Sequence, residues 1–204
     1  MTPLKMYPTS LNEKYLDITV RTLTDGGIII YPTDTLYAIG CDALNGHAVE
    51  RICRIKGINP LKTNLSIICT DISQAAEYAR IDNKAFKYLK QYLPGPYTFL
   101  LPTASALPKV FKGRKVVGVR IPDNAIATAL AERLGNPLLS TSIQYDIDEP
   151  EEAVSPESIA LRYADDIDLM IDGGDGSIVP STVVDLTDSS QPVIVRESSA
   201  PFNI

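Results

Sequence analysis

Apolar residues recur along this chain at two spacings, and the switch between them marks out its elements. Leu11, Tyr15, Ile18 and Thr22/Leu23 fall three and four apart, which predicts an amphipathic helix over residues 11–25, stopped by Gly26-Gly27. Gly27–Tyr31 (GIIIY) is a short β-branched run closed by Pro32, the pattern of a buried strand. The same reading predicts helices over residues 47–56, Ser73–Ala79, Asn83–Tyr92 and Ala125–Leu134, the last stopped at Gly135. Another helix starts at Ser155-Pro156-Glu157, where a capping hydroxyl, a proline at the first helical position and an early acid coincide. Strands are predicted at Leu65–Cys69, Tyr97–Leu101, Val116–Ile121, Leu138–Thr141, Asp168–Ile171, Thr182–Leu186 and Val193–Arg196. Pro94-Gly95-Pro96 is a strong breaker, and Tyr145–Ala153 (YDIDEPEEA) reads as an acidic surface loop.

Strands and helices are interleaved with no internal repeat, linker or composition break. This favours one α/β domain with a mixed sheet over residues 1–204. Polar, Gly/Pro-rich loops follow several strands (PTDT, STSIQ, DGGDGS), where an open α/β sheet places its ligand crevice.

Charge and composition narrow the chemistry. The 204 residues carry a formal charge of -6, which argues against a protein that coats nucleic acid through its overall charge but leaves room for a local basic cleft. Cys41, Cys53 and Cys69 are widely spaced with no CxxC, and their odd number and the apolar neighbours of Cys53 and Cys69 suit reduced buried thiols of a cytoplasmic protein. With a single histidine, His47, a closed zinc site and a Ser-His-Asp triad are both disfavoured, and no metal ligands are assigned. Neither GxxxxGK[ST] nor GxGxxG after a strand occurs, and no apolar run is long enough to span a bilayer. The chemistry left is that of hydroxyls, backbone amides and scattered cations.

Four loops and one strand carry such groups. Tyr31-Pro32-Thr33-Asp34-Thr35-Leu36-Tyr37 is either a capped turn or a ligand loop. Arg51, Arg54, Lys56 and Lys62 are either a solvated helix end or phosphate ligands. Ser140-Thr141-Ser142-Ile143-Gln144 brings three hydroxyls to a strand exit, and Asp172–Ser177 is either an anion-binding nest or a plain turn. Arg120 lies inside the apolar strand Gly118-Val119-Arg120-Ile121-Pro122, so it needs a ligand anion or a buried carboxylate.

The order of these blocks resembles that of the YrdC/YciO family. YPTDTLYAIGCDA resembles the family's opening, KGINPLK its K-x-R…K segment, and PGPYTFLL its PGP-x-T block. GVRIPDN resembles its GVR-x-P, STSIQ its S-T-S-x-N, and PSTVVDLT its P-S-T-[IV]-[VI]-D strand, so that the resemblance runs from about residue 11 to 197. It implies a single-domain twisted mixed sheet with flanking helices and a concave nucleotide cleft. It also implies an L-threonylcarbamoyladenylate synthase, a nucleotidyltransferase that joins L-threonine, bicarbonate and MgATP, releases pyrophosphate and serves tRNA modification. Carried over, Thr33, Thr35 and Tyr37 would line the amino-acid pocket. Lys56, Lys62 and Arg120 would act on the phosphates or the reacting carboxylate, while Ser142, Gln144 and Ser181 would complete the nucleotide site.

Three positions depart from the family pattern and place the chain nearer the YciO branch, one of them Ala38 in place of a glycine of the opening. K-x-R becomes Lys56-Gly57-Ile58, and S-x-N becomes Ser142-Ile143-Gln144. The competing expectation is a nucleotide- or RNA-binding protein with weak or no synthase activity. Its basic rim for tRNA or double-stranded RNA would be Arg51, Arg54, Lys56, Lys62, Lys109, Lys112, Arg114 and Lys115. Carbamoyl-adenylate chemistry on another amino acid is the third. The oligomeric state is left open.

Overall fold

The computed structural model describes residues 2–59, 63, 65–104, 115–146 and 148–203. In chain order the elements are β1 (Leu4–Lys5), α1 (Glu13–Thr24), β2 (Ile29–Tyr31), β3 (Ala38–Asp42), α2 (Gly46–Ile55), β4 (Ser66–Ile68), α3 (Ile72–Tyr78) and α4 (Asn83–Tyr92). These are followed by β5 (Tyr97–Pro102), β6 (Val116–Arg120), α5 (Ala125–Leu134), β7 (Leu138–Ser142), α6 (Pro156–Arg162), β8 (Leu169–Asp172), β9 (Thr182–Asp185) and β10 (Val193–Arg196). Each of these six helices begins at a side-chain oxygen that accepts an amide of the first turn. The caps are Asn12, Asn45, Asp71, Asp82, Asn124 and Ser155.

The strands form one mixed sheet in the order β1-β8-β2-β3-β7-β4-β6-β5-β9-β10. β8 runs parallel to β1 and β2, β4 to β6, and β5 to β9; the other neighbours are antiparallel. Side chains alternate between faces along each strand, so the sheet presents two faces of different character. On one face Ile30, Ile39, Ile67, Phe99, Val119, Leu139, Met170 and Val184 are buried beneath α2, α3, α4 and α6. The other face is covered over half its width only. There Ile29, Tyr31, Ala38, Ile68, Leu138 and Ile171 pack against Leu16 and Leu23 of α1 and against Ile126 and Leu130 of α5. Each fully buried aliphatic side chain contributes roughly 1.5–3 kcal/mol, so this double burial accounts for the continuous β-branched run of β2.

Beyond the reach of α1 and α5, the second face changes composition. Ser66 on β4, Thr98 on β5, Gly118 and Arg120 on β6, and Ser140 and Ser142 on β7 occupy the positions that would otherwise be apolar. That uncovered, polar half-face is the floor of the site.

Most predicted elements lie within a residue or two of where the pattern puts them, and Asn83–Tyr92, Ala125–Leu134 and Val193–Arg196 coincide with α4, α5 and β10. Three features differ. Ala38–Asp42 is a central strand, although its AIGCD sequence has one β-branched residue and read only as the tail of a loop motif. Leu4–Lys5 adds a two-residue edge strand to β8. The acidic loop contains a 3₁₀ turn at Pro150–Ala153, whose Ala153 is buried in the core.

Candidate functional site

The uncovered half-face forms a cavity of about 350 Å³. Its floor is Ser66, Thr98, Arg120, Ser140 and Ser142, and one wall is apolar, with Ile58, Leu65, Leu100, Val183 and Val195. Ser181 and Arg196 close the far side. The floor exists because residue 118 has no side chain: a Cβ there would lie 2.4 Å from Ser66 Oγ and 3.2 Å from Thr98 Cγ2. A larger concavity of about 770 Å³ lies between α3, α4 and α5, with walls that include Leu11, Ile72, Phe86 and Leu93 and only Lys90 as a cation. The cationic and hydroxyl groups converge on the smaller one.

Arg120 is the centre of the charge arrangement. Its side chain is 7% exposed and its Nη2 donates to Asp34 Oδ1 at 2.8 Å and to Thr35 Oγ1 at 3.0 Å. Its Nε is buried and, among the described residues, has no hydrogen-bond partner. The proton directions in the adjoining loop follow from its one carbonyl acceptor. Thr33 Oγ1 donates to the Leu36 carbonyl at 2.8 Å, so in the 3.0 Å contact between the two threonine hydroxyls the proton belongs to Thr35. Thr33 Oγ1 also accepts the Thr35 amide, which exhausts its bonding capacity. Both threonine protons are thus spent inside the loop, and Thr35 offers Arg120 a lone pair.

Arg196 is the second guanidinium at the cavity. Its Nε and Nη2 donate to the Ser181 carbonyl at 3.0 and 2.8 Å, and Nη2 also reaches Ser181 Oγ at 3.2 Å. Ser181 Oγ is in turn 2.8 Å from Thr98 Oγ1. Burial, and then the nearby Arg120 charge, pull Arg196 down from its ordinary value. Lys56 follows the last turn of α2 and donates from Nζ to the Ser142 carbonyl at 2.6 Å. Burial, followed by the Arg162 charge, pushes it down to about 8. Arg120 and Arg196 thus line this half-face, Lys56 lies beside it on the Ser142 backbone, and among the described residues the carboxylate in contact with these cations is Asp34.

The residues singled out in the sequence fall into three places. Arg120, Ser142 and Ser181 line the cavity, Thr35 touches Arg120, and Lys56 is tied to the backbone of Ser142. Thr33 and Tyr37 border a separate hollow of about 270 Å³ with Asp34, Thr35, Asp175 and Ser177. The buried Tyr37 hydroxyl donates to the Gly174 carbonyl at 2.7 Å and accepts the Gly173 amide at 3.0 Å. The Gly174 amide donates to Asp172 and the Gly176 amide to Val154, so three amides of the glycine-rich turn are engaged within the protein. Gln144 is exposed, and its backbone bonds Tyr163: the amide donates to the tyrosine hydroxyl, which donates to the Gln144 carbonyl. Lys62 lies outside the described residues, as do Lys109, Lys112 and Arg114 of the expected basic rim. Arg51 of that rim is bound to Asp168 at 2.7 Å, and His47 is exposed.

Arg196, Ser66 and Thr98 were not singled out in the sequence. Ser66 and Thr98 carry a usable signal, since each is a polar residue two positions from an apolar one, Ile68 and Leu100, on the same face of its own strand. Arg196 carries none, because the β-bulge between Ile194 and Arg196 breaks the alternation that would have set it opposite Val195.

Comparison with known proteins supplies a context for this geometry. A family model for Sua5, YciO and YrdC proteins, which bears the description telomere recombination, matches residues 21–198. An uncharacterized protein of Haemophilus influenzae is 40% identical over 202 residues, covering 97% of each chain. The crystal structure of Escherichia coli YciO matches with a TM-score of 0.90 at 38% identity, covering 98% of this chain and 97% of that one. Threonylcarbamoyl-AMP synthase of Pyrococcus abyssi is 32% identical over 195 residues, spanning 94% of this chain and 56% of the archaeal protein. The structure of Pyrococcus abyssi Sua5 complexed with L-threonine matches with a TM-score of 0.86 at 30% identity, covering 98% of this chain and 58% of that one. Among the described residues no helix is long and apolar enough to cross a membrane.

Proposed function

Because the chain belongs to the Sua5/YciO/YrdC family, we propose that it is a cytoplasmic nucleotidyltransferase that makes threonylcarbamoyladenylate from L-threonine, bicarbonate and MgATP for tRNA modification. The observation that carries this reading is a pair of guanidiniums, Arg120 and Arg196, on one cavity of about 350 Å³, the first with a buried Nε that lacks an acceptor. An unpaired charged donor in a buried place is costly, and two like charges facing one cavity call for an anion between them. Relatives named for this synthase activity, and the archaeal Sua5 complexed with L-threonine, support the choice of substrates.

In this reading the amino group of threonine first condenses with bicarbonate to a carbamate: the N–C bond forms and one oxygen of the bicarbonate leaves as water. A carbamate oxygen then attacks the α-phosphorus of ATP, and the bond to the β-phosphate oxygen breaks, releasing pyrophosphate. The attacking oxygen is already anionic, so no strong general base is needed, in keeping with a site built of cations and hydroxyls. Lys56, Arg120 and Arg196 would neutralise charge, Ser142 and Ser181 would orient oxygens, and Lys62 would join them from outside the described residues. Catalysis of this kind rests on positioning and charge stabilisation. The magnesium ion enters with the triphosphate as part of the substrate. Among the described residues no group of three or more His, Cys, Asp or Glu converges to hold one.

A second reading, a nucleotide- or RNA-binding protein with little synthase activity, draws on Ile58. It supplies an apolar wall at the position where the family pattern has an arginine. The deciding experiment measures pyrophosphate release from MgATP and bicarbonate with and without L-threonine, with mass spectrometry of the product. Threonine-dependent threonylcarbamoyladenylate supports the synthase. MgATP binding without product moves the assignment to the binding protein.

A further inference from the structure

Asp34 belongs to the loop motif, yet neither the sequence reading nor the reaction gives it a task. Its carboxylate is 9% exposed and lies 2.8 Å from Arg120 Nη2. A carboxylate that simply neutralises a buried arginine favours the two-toothed mode, with one oxygen on each of two adjacent N–H groups. Asp34 does not adopt it. Oδ1 takes Nη2, while Oδ2 is turned away to accept the backbone amide of Asp123 at 3.0 Å. Thr35 Oγ1 takes Nη2 as well, and Nε is left buried without an acceptor.

We propose that Asp34 is a positioning residue: its one-oxygen grip orients the Arg120 guanidinium and keeps the Nε side free for an oxyanion of the substrate. The Asp123 amide is the device that holds the second oxygen away. The loop at residues 33–35 and the turn after β6 thereby set the direction in which a cation, buried in a strand, presents Nε. The inference rests on the reading of the cavity as a site for anionic substrates.

The test compares wild type with Asp34→Asn, Asp34→Glu, Arg120→Lys and the Asp34→Asn/Arg120→Lys double variant. Each is titrated calorimetrically with L-threonine and with MgATP, after thermal melting to establish folding. Arg120→Lys identifies the ligand that Arg120 holds. Loss of one charge-assisted hydrogen bond predicts about tenfold weaker binding of that ligand in either Asp34 variant. The double variant is expected to bind no worse than Arg120→Lys alone. Asp34→Glu is the discriminating case: it keeps the charge and the ion pair, but its longer arm reaches Nε and closes the free side. If the glutamate variant melts early, the near-isosteric asparagine variant carries the comparison. Asp34 variants that bind like wild type while Arg120→Lys is impaired would overturn the proposal, as would multiplying losses in the double variant. So would an Arg120→Lys variant that binds both ligands normally. A wild-type protein that binds neither ligand overturns the functional reading itself.

Discussion

Tyr31 donates its hydroxyl proton to Ser140 Oγ at 3.0 Å, across the intervening strand β3, where its ring lies over Gly40. The bond links the fully packed half of the second face to the first hydroxyl of the cavity floor. It also explains why residue 40 is glycine, since a Cβ there would sit 2.7 Å from the Tyr31 ring and 2.8 Å from the Leu139 carbonyl. Gly40→Ala is therefore expected to lower unfolding stability by about 1–3 kcal/mol in a denaturant titration, the usual cost of overpacking a core. Tyr31→Phe should cost roughly 1 kcal/mol, because only the hydrogen bond is lost.

Gly118→Ala tests the cavity from below. The added methyl points into the floor at the oxygen of Ser66, which can rotate aside, while Ser66 Cβ at 3.1 Å and Thr98 Cγ2 at 3.2 Å must each give way slightly. The expected outcome is a modest fall in melting temperature and binding of MgATP weakened by about tenfold or more, a loss of about 1.4 kcal/mol per factor of ten. Wild-type affinity in this variant would mean that nucleotide sits elsewhere.

Lys56 supplies a pH dependence. Its ordinary value of 10.5 is pushed down to about 8 by burial and by Arg162, and a bound anion would restore the charged form. Pyrophosphate affinity, measured by calorimetry on either side of pH 8, should be higher on the acid side and fall as the pH rises through that value. In the absence of ligand the sign for folding is opposite. Between pH 8 and 10.5 the unfolded chain holds a proton at this lysine that the folded chain has shed, so raising the pH across that window favours the folded state. Lys56→Met should flatten both profiles.

Ile58→Arg restores a cation to the apolar wall of the cavity. Threonine-dependent pyrophosphate release should rise by roughly one to three powers of ten, the range associated with a single charged contact in a transition state. Ile58 is partly buried against the core, so a modest fall in melting temperature should accompany the gain. Unchanged release would mean that the cavity serves a different acyl acceptor.

The fold was legible because its helices announce themselves by caps and period and its strands by β-branched runs. What escaped was Ala38–Asp42, where small residues are needed so that Tyr31 can lie over Gly40. A strand made of Ala, Gly and Cys for the sake of a neighbour's ring has no strand signature of its own. Within the site, Arg120 was legible as a cation inside an apolar strand and Ser142 by its place at a strand exit, whereas Ser181 came only from the family resemblance. The Asp34 contact spans 86 positions and depends on the turn after β6, which no local pattern encodes. Arg196 was hidden by a bulge, a break in register that exists only in the paired strands.

The far wall of the cavity, from Ser181 to Arg196, is contributed by β9 and β10, which come after every other lining residue in the chain. β9 is held by β5, a partner 85 positions earlier at Tyr97↔Thr182. A polypeptide emerging from the ribosome therefore carries Asp34 and Arg120 before the second guanidinium is made. Messages truncated ahead of β9 would yield chains that lack the second guanidinium together with the core side chains Val184, Leu186 and Phe202, so the anion seat and the last part of the core are completed by the same segment.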